Sequence, residues 1–463
     1  MLLHTKIVDV YQSECGPDAR FVLEAMALGV SRGDGDGRKR YSSKALAKWL
    51  RVSEKLASDA LAELVAIGAV ERVSTISGAG RPSITYEIPP SKADAVKEQY
   101  DFYGMNTTII EQLFSGAEIL TGKLGALVKT ITETATLAKA GKPTPPGARS
   151  RLSAANRLLL GALLSRADRF GAVYGLGSSE LMRLTGLDNE SLKHRLKRLG
   201  ALGLIRSYVP GASSVVFRVK KVPSIYFLNL DHPGFGWQRR CGVLVHISAR
   251  DEKRISFAEI LMSKSPAVGY AGSMERDEKK QIVTHFLRGQ EDEVFDLLEV
   301  VLFRYASELL QRFWYELGVD RPIDTAGLHE QIFDDLQKPP SEESTKVEAD
   351  HRWDTIISFF VRLVVDIAKD YRTRFGQASW IEYSPENLSI LPVKQKTGQI
   401  IIAVVLVPVP RGIAACTVLR ETRLGVAEIR DEYWSESEMP LERRVQCGLA
   451  SPLPRRLMAK KSF

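Results

Sequence analysis

The sequence predicts an α+β protein in which two helix–turn–helix modules, joined by helices and a Pro/Gly linker, precede an α+β C-terminal domain. An internal repeat at a fixed offset of 135 residues indicates the two modules. A strand, a Gly-rich turn and a second strand follow each copy, which indicates a β-hairpin. Beyond residue 240, an amphipathic helix at residues 291–318, a largely apolar helix at 352–371 and three strands at 381–393, 399–410 and 414–422 indicate the C-terminal domain.

The repeat superposes residues 43–70 on residues 178–205 without a gap. Apolar positions coincide throughout, and leucines recur at i and i+3 in the second half of each copy, which is the spacing of one buried helix face. Each copy therefore predicts a short helix, a tight turn and a longer helix, the order of a helix–turn–helix.

Polar residues stand where helix caps are needed. Ser43 and Ser178 are expected to N-cap the first helix of each copy. Ser53 and Asp188 are expected to N-cap the second, because short oxygen-bearing side chains accept the unpaired N–H groups of a first turn. A glycine after the second helix of each copy is expected to take the left-handed conformation that ends a helix.

Hairpin patterns follow at residues 70–88 and 204–222, and an apolar helix precedes each copy at residues 21–30 and 157–167. With these parts, both segments resemble the winged helix–turn–helix of bacterial transcriptional regulators. The pattern LxxLTGLxxxxLxxxLxxLxxLGLI of the second copy is similar to MarR-type and plasmid-initiator winged helices. The resemblance does not extend to residues 241–463. It implies binding of double-stranded DNA, whereas some winged helices dock proteins instead.

The second helix of each copy is the recognition helix that this resemblance implies. Cationic and amide side chains pair with phosphates and base edges. In the second copy these candidates are Asn189, Ser191, Lys193, His194, Lys197 and Arg198. In the first copy they are Lys55, Ser58, the hairpin residue Arg81 and the run Arg38, Lys39 and Arg40, for which a solvated loop is the alternative.

Charge is unevenly distributed along the chain, whose net charge is +8. Residues 141–240 hold 17 Lys and Arg against 5 Asp and Glu, a net charge of +12. Residues 241–350 hold 13 against 22, a net charge of −9. This asymmetry is typical of a chain in which one segment meets a polyanion, although an uneven surface charge without function produces the same pattern.

Composition shifts divide the 463 residues into five predicted segments. A Pro/Gly-rich basic stretch suggests that the two modules fold separately. The segments are a first winged helix (1–90), connecting helices (91–140), a linker (141–151), a second winged helix (152–235) and an α+β domain for sensing, dimerisation or partner docking (236–463).

Motifs for catalysis or metal binding are absent from the sequence. There is no phosphate-binding GxxxxGK[ST], no GxSxG and no HExxH, and the four cysteines are too far apart for zinc. A nuclease-like set of Asp366, Glu382 and Lys394 has no constrained spacing. We therefore expect a binding protein rather than an enzyme, with no cofactor and no metal.

Neither a membrane-spanning apolar run nor a signal-peptide pattern is present, so a cytoplasmic protein is expected. The leading hypothesis is a transcriptional regulator that binds double-stranded DNA sequence-specifically. The alternatives are a replication initiator or partition protein of a mobile element, a DNA-recognition subunit of a larger complex, and a nuclease. Residues 241–463 are expected to supply a homodimer contact or a contact with a protein partner.

Overall fold

The computed structural model combines helices with β-sheets, which confirms the α+β class. It describes residues 15–31, 39–76, 82–91, 106–115, 152–232, 235, 241–247, 273–340, 346–392, 401–410, 412–422 and 426–450. The chain divides into two compact units. The first comprises the described residues of Met1–Arg206 and Tyr226–Gln238, and the second those of Ser207–Ile225 and Arg239–Ala450.

The first copy of the repeat, taken from here on with the helix before it and the hairpin after it, lies in the first unit as three helices and a hairpin. Its elements are α1 (Pro17–Ser31), α2 (Ser43–Leu50), α3 (Glu54–Ala66), β1 (Glu71–Thr75) and β2 (Ser83–Glu87). The two strands pair antiparallel, with Glu71 opposite Glu87 and Thr75 opposite Ser83. Helix α4 (Thr107–Ser115) follows, and the rest of the predicted connecting helices and the linker lies outside the described residues.

The second copy repeats the order of the helices and has more strands. Its elements are α5 (Ala154–Leu164), β3 (Ala172–Val173), α6 (Ser178–Thr185), α7 (Asn189–Ala201), β4 (Ile205–Val209), β5 (Ala212–Ser213), β6 (Lys221–Val222) and β7 (Ile225–Leu228). Both ends of α6 and of α7 lie 135 residues after the ends of α2 and α3. The predicted helices of the repeat are therefore confirmed.

The caps explain why the helix bounds coincide. The Oγ of Ser53 accepts the backbone N–H of Leu56 at 3.1 Å, and Oδ1 of Asp188 accepts that of Ser191 at 2.7 Å, as predicted. The predicted caps of the first helices are wrong by one residue. Ser42 caps α2 by accepting the N–H of Ala45, and α6 begins after a glycine that has no side chain with which to cap it.

Left-handed residues occupy equivalent positions in both copies. Arg51 and Gly186, in the turns after α2 and α6, have φ of 53° and 66°. Gly68 and Gly203, after α3 and α7, have φ of 71° and 76°, which confirms the predicted glycine C-caps. Arg51 is the only one of these four residues that is not a glycine, and the left-handed conformation is disfavoured for a residue that has a Cβ.

The hairpin of the second copy differs from its prediction. Strand β4 is not the partner of β6; instead it joins a three-stranded sheet in the order β3-β7-β4. The β5–β6 pair is a separate short ribbon, with Ala212 opposite Val222. The predicted pattern of two strands and a turn does not form one hairpin. Strand β4 pairs instead with β7, which lies further along the chain and has four consecutive buried residues.

Helices α1 and α5 pack against each other in the centre of one hydrophobic core that includes residues of both copies. Every residue of α5 is buried, and α1 is buried from Ala19 to Val30. A helix that is buried on all faces needs partners on all sides, and neither copy alone supplies them. The structure therefore differs from the interpretation that the modules fold separately.

The second unit contains a five-stranded sheet in the order β12-β11-β8-β10-β9. Its strands are β8 (Cys241–Ile247), β9 (Ser389–Leu391), β10 (Ile401–Pro408), β11 (Cys416–Glu421) and β12 (Ala427–Tyr433). The β8–β11 pair is parallel and the other pairs are antiparallel. The three strands predicted between residues 381 and 422 are confirmed as β9, β10 and β11, whereas β8 and β12 were not predicted.

Helices complete this unit. They are α8 (Ser273–Leu287), α9 (Asp292–Gly318), α10 (Ala326–Asp335), α11 (Lys346–Phe375), a 3₁₀ helix (Ser379–Tyr383) and α12 (Leu441–Gln446). The two long helices α9 and α11 pack together, and α9 also contacts β9. Both were predicted from their apolar faces, although α11 begins six residues earlier than its apolar run.

A charged cluster lies beside strand β8 of this sheet. His246 is fully buried, and its Nε2 lies 3.5 Å from Nη1 of Arg374, a residue of α11. Arg374 also pairs with Asp370 at 2.9 Å and with Glu421 of β11 at 3.2 Å. Burial, followed by the charge of Arg374, lowers the pKa of His246 to about 3. The imidazole is therefore neutral at physiological pH.

Candidate nucleic-acid interface

Helix α7 has one face in the core and one face in solvent. Leu192 and Leu199 are buried, and Leu196 packs partly buried on the same core. This anchoring places the opposite face outward. The exposed side chains on that face are Asn189, Glu190, Lys193, His194 and Lys197.

Two of the predicted site residues of α7 are half-buried rather than exposed. Ser191 is half-buried, and its hydroxyl donates to Oδ2 of Asp188 at 3.1 Å, so it belongs to the helix cap. Arg198 is half-buried beside Leu199, at the edge of the exposed face. Hydrogen bonds from the N–H and hydroxyl of Ser191 lower the pKa of Asp188, which therefore carries a negative charge at the start of α7.

The lysines of α7 are weakly neutralised. Nζ of Lys193 lies 3.7 Å from Oε1 of Glu190, but these side chains are 65% and 89% exposed. A solvated pair at this distance contributes little, because water screens the attraction. The exposed face of α7 therefore offers two lysines and a histidine to an anionic ligand.

The corresponding face of α3 is nearly neutral. Lys55 and Ser58 are exposed as predicted, and Glu54 and Asp59 are exposed beside them. At the positions equivalent to Lys193, His194 and Lys197, the first copy has a serine, an aspartate and an alanine. The two helices share their fold and caps but differ in surface charge.

The basic run before α2 is partly committed to other contacts. Nε of Arg40 lies 2.8 Å from Oε2 of the buried Glu87, and this hydrogen bond raises the pKa of Arg40. Nζ of Lys39 lies 5.8 Å from the ring centroids of both Tyr41 and Trp49, which stack at 5.4 Å. The pairing of Arg40 opposes its predicted phosphate contact.

Two other predicted residues of the first copy, Arg38 and Arg81, lie outside the described residues. Their assignment to phosphate and minor-groove contacts stays a prediction.

Arg195 positions α7 and was not predicted from the sequence. Its Nη1 donates to Oγ of Ser153 and to Oδ1 of Asn156, each at 3.1 Å. Burial lowers the pKa of Arg195, although the guanidinium remains charged. The contact ties α7 to the first turn of α5. The sequence signal that could have identified Arg195 is its spacing, because it follows Leu192 by three residues and lies at the border of the buried face.

The ribbon of the second copy, residues 210–222, is held within the second unit by the end of α10. The backbone N–H of Arg218 donates to the carbonyl of Asp335 at 3.0 Å, and that of Gln337 donates to the carbonyl of Val216 at 2.8 Å. Nη1 of Arg218 lies 3.1 Å from Oδ1 of Asp334. We name this set of contacts the ribbon clamp. Lys220 and Lys221 of the ribbon remain exposed.

The three residues of the nuclease alternative do not form a site within the described part of the chain. Asp366 is exposed on α11, Glu382 lies 3.4 Å from Nη2 of Arg372, and Lys394 lies outside that part. Across the described ranges, no group of three His, Cys, Asp or Glu side chains could hold a metal ion. In the same ranges, no helix is long and apolar enough to cross a membrane.

A comparison with protein-family models and with curated proteins finds no match. The functional argument therefore depends on the geometry of α2, α3, α6 and α7 and on the charges that they carry.

Proposed function

We propose that the protein binds double-stranded DNA sequence-specifically through two winged helix–turn–helix modules, with α3 and α7 as recognition helices. The observation that carries this proposal is the exact 135-residue correspondence of both helix pairs, combined with the cationic exposed face of α7. In a helix–turn–helix, the first helix crosses the DNA backbone and the second lies in the major groove.

The composition of α7 favours DNA over a protein partner. Its exposed face carries two lysines, a histidine and an asparagine against one glutamate, whereas protein interfaces are enriched in aromatic residues and depleted of lysine. Asn189, Lys193 and His194 lie in the first half of α7, the part of a recognition helix that contacts base edges. Lys197 is one turn further and fits a phosphate contact.

The role of α3 is secondary in this proposal. Its acidic neighbours reduce the attraction of Lys55 for phosphates, so α3 contributes less affinity than α7. Arg81 is proposed to add a minor-groove contact, where the negative potential favours arginine. Regulation of transcription is the proposed biological role, and footprinting on the promoter upstream of its own gene tests it.

DNA affinity is expected to depend strongly on salt. The +12 net charge of residues 141–240 motivates this prediction. If about six phosphates are neutralised, log K should fall with log salt with a slope of about −5. A fluorescence-anisotropy titration of a mixed-sequence duplex from low to moderate salt measures the slope. A slope near zero would contradict an electrostatic interface.

The double variant Lys193→Ala/Lys197→Ala is expected to weaken DNA binding by about 2 kcal/mol or more, since a good contact contributes roughly 1–3 kcal/mol. Its melting temperature should not change, because both side chains are exposed. Competitive binding assays on a selected duplex measure the effect.

Lys44→Ala/Lys48→Ala is the matched control for this pair. It also removes two exposed lysines four residues apart on a helix, but from α2 rather than α7. The control should weaken binding less and equally for all sequences. If the two double variants lose the same affinity, α7 contributes charge alone and is not a recognition helix.

A further inference from the structure

The helices that lead the two copies, α1 and α5, exchange equivalent contacts. Each carries an arginine as its fourth residue, Arg20 in α1 and Arg157 in α5. Both arginines are buried, with 3% and 5% of their surface exposed. A buried guanidinium requires hydrogen-bond acceptors, so the partners of these two side chains define what each helix is built to contact.

Arg157 of the second copy binds the helix end of the first. Its Nη1 donates to the carbonyl of Leu50, the last residue of α2, at 2.6 Å. Its Nε and Nη2 donate to the carbonyls of Leu113 and Phe114 at the end of α4, at 2.6 and 3.1 Å. The next residue after Leu50 is Arg51, the left-handed turn residue of the first copy.

Arg20 of the first copy binds the corresponding helix end of the second. Its Nη1 donates to the carbonyl of Arg183 in the last turn of α6, and its Nε donates to the carbonyl of Cys15 at 2.8 Å. The guanidinium also lies against Gly186, the left-handed turn residue of the second copy, where a Cβ would come within 2.8 Å of Nε. Each leading helix therefore contacts the turn of the other copy.

Such reciprocity defines an isologous contact, in which element i of one copy meets element j of the other and j meets i. A two-fold relation between the copies produces this pattern, whereas a simple translation, in which one copy follows the other head to tail, does not. Within each copy, the longer helix also holds the start of the leading helix. Glu63 of α3 accepts the N–H of Gly16 before α1 at 2.6 Å, and Arg195 of α7 holds Ser153 before α5.

We propose that a single chain binds an imperfect inverted repeat, with one half-site for α7 and an unlike half-site for α3. This inference rests on the proposed function. Two-fold related recognition elements read half-sites that run in opposite directions, as the symmetry of an operator mirrors the symmetry of its protein. The half-sites differ in sequence because the exposed faces of α3 and α7 differ in charge. Their centres should lie about 10 bp apart, one turn of the double helix.

The test begins with selection of binding sites from a duplex library containing a randomised 30-bp stretch, by the full-length protein. The enriched site is then rebuilt in three forms: unchanged, with the weaker half-site reversed to give a direct repeat, and with 5 bp inserted between the half-sites. We expect reversal and insertion each to weaken binding about tenfold or more, because either change removes one recognition helix from its half-site.

Stoichiometry separates this proposal from binding by a conventional dimer. Native mass spectrometry of the complex should show one chain per inverted site. Two chains per site, an enriched direct repeat, or equal affinity for the unchanged and reversed sites would each overturn the inference while leaving DNA binding intact. Failure to enrich any duplex, together with the absence of binding at low salt, would instead overturn the proposed function.

Discussion

Replacing Arg157 by leucine is expected to lower the free energy of unfolding by about 3 kcal/mol or more, because an unsatisfied buried acceptor costs about 1–3 kcal/mol and three lose their donor. The change leaves the carbonyls of Leu50, Leu113 and Phe114 without their charged donor in a buried environment. It also removes the guanidinium from the face of the Phe21 ring, 4.6 Å from the ring centroid. Urea unfolding followed by circular dichroism measures the loss.

The same variant tests whether the two copies unfold together. Because Arg157 connects the copies across a shared core, hydrogen exchange should accelerate in α2 and α3 as much as in α6 and α7. Arg183→Leu is the matched control: its side chain is 46% exposed and pairs with Glu180 on the same helix. It should cost at most about 1 kcal/mol. Faster exchange confined to the second copy would contradict a single cooperative unit.

His246 is expected to make the protein acid-sensitive. Its pKa is about 3 in the folded protein and about 6.5 in an unfolded chain. Between these values the unfolded chain binds a proton that the folded chain does not. Acidification therefore stabilises the unfolded state relative to the folded state. The contribution of His246 is complete above pH 6.5 and is lost as the pH falls toward 3. A shift of this size corresponds to about 3–5 kcal/mol.

The measurement compares unfolding free energies at pH 7 and pH 4 in the wild type and in His246→Gln. The variant has no imidazole to protonate, so it should lose several kcal/mol less than the wild type over this interval, whatever its stability at pH 7. His329→Gln, at an exposed position of α10, is the matched control and should retain the wild-type difference. Equal pH dependence in all three proteins would show that His246 is not the sensitive group.

The helix–turn–helix repeat could be predicted because its determinants are local. Apolar spacing sets the buried face of α3 and α7, and Ser53 and Asp188 each set a helix start through one short hydrogen bond. The first caps were displaced by one residue because Ser42 and Ser43 adjoin, and periodicity does not distinguish neighbouring candidates.

Long-range pairing could not be predicted in the same way. Strand β8 pairs with β10 across more than 150 residues, and the buried His246 interrupts its apolar pattern. Strand β12 is at the sheet edge, and most of its side chains are exposed or half-buried, so its composition is that of a polar segment. The shared core escaped prediction because an apolar helix does not indicate from which part of the chain its partners come.

For the candidate interface, the sequence placed Asn189, Lys193, His194 and Lys197 on the face that the structure exposes. Exposure follows from helical phase, which the buried leucines determine. The side-chain contacts of Arg40 and Arg195 depend on residues 39 to 47 positions away and have no local signature. The binding roles of the exposed residues remain predictions that the lysine variants test.

The ribbon clamp limits where recombination can divide the gene of such a protein. The boundary between the compact units falls within β4, between Arg206 and Ser207, and the chain returns to the first unit at Tyr226. A recombination event that copied only the continuous stretch 1–238 would therefore carry the ribbon, a part of the second unit, without Asp334 and leave it without its support. The second unit therefore cannot be exchanged as one continuous segment of the chain. Gene fusion and domain shuffling should preserve the two units as one block.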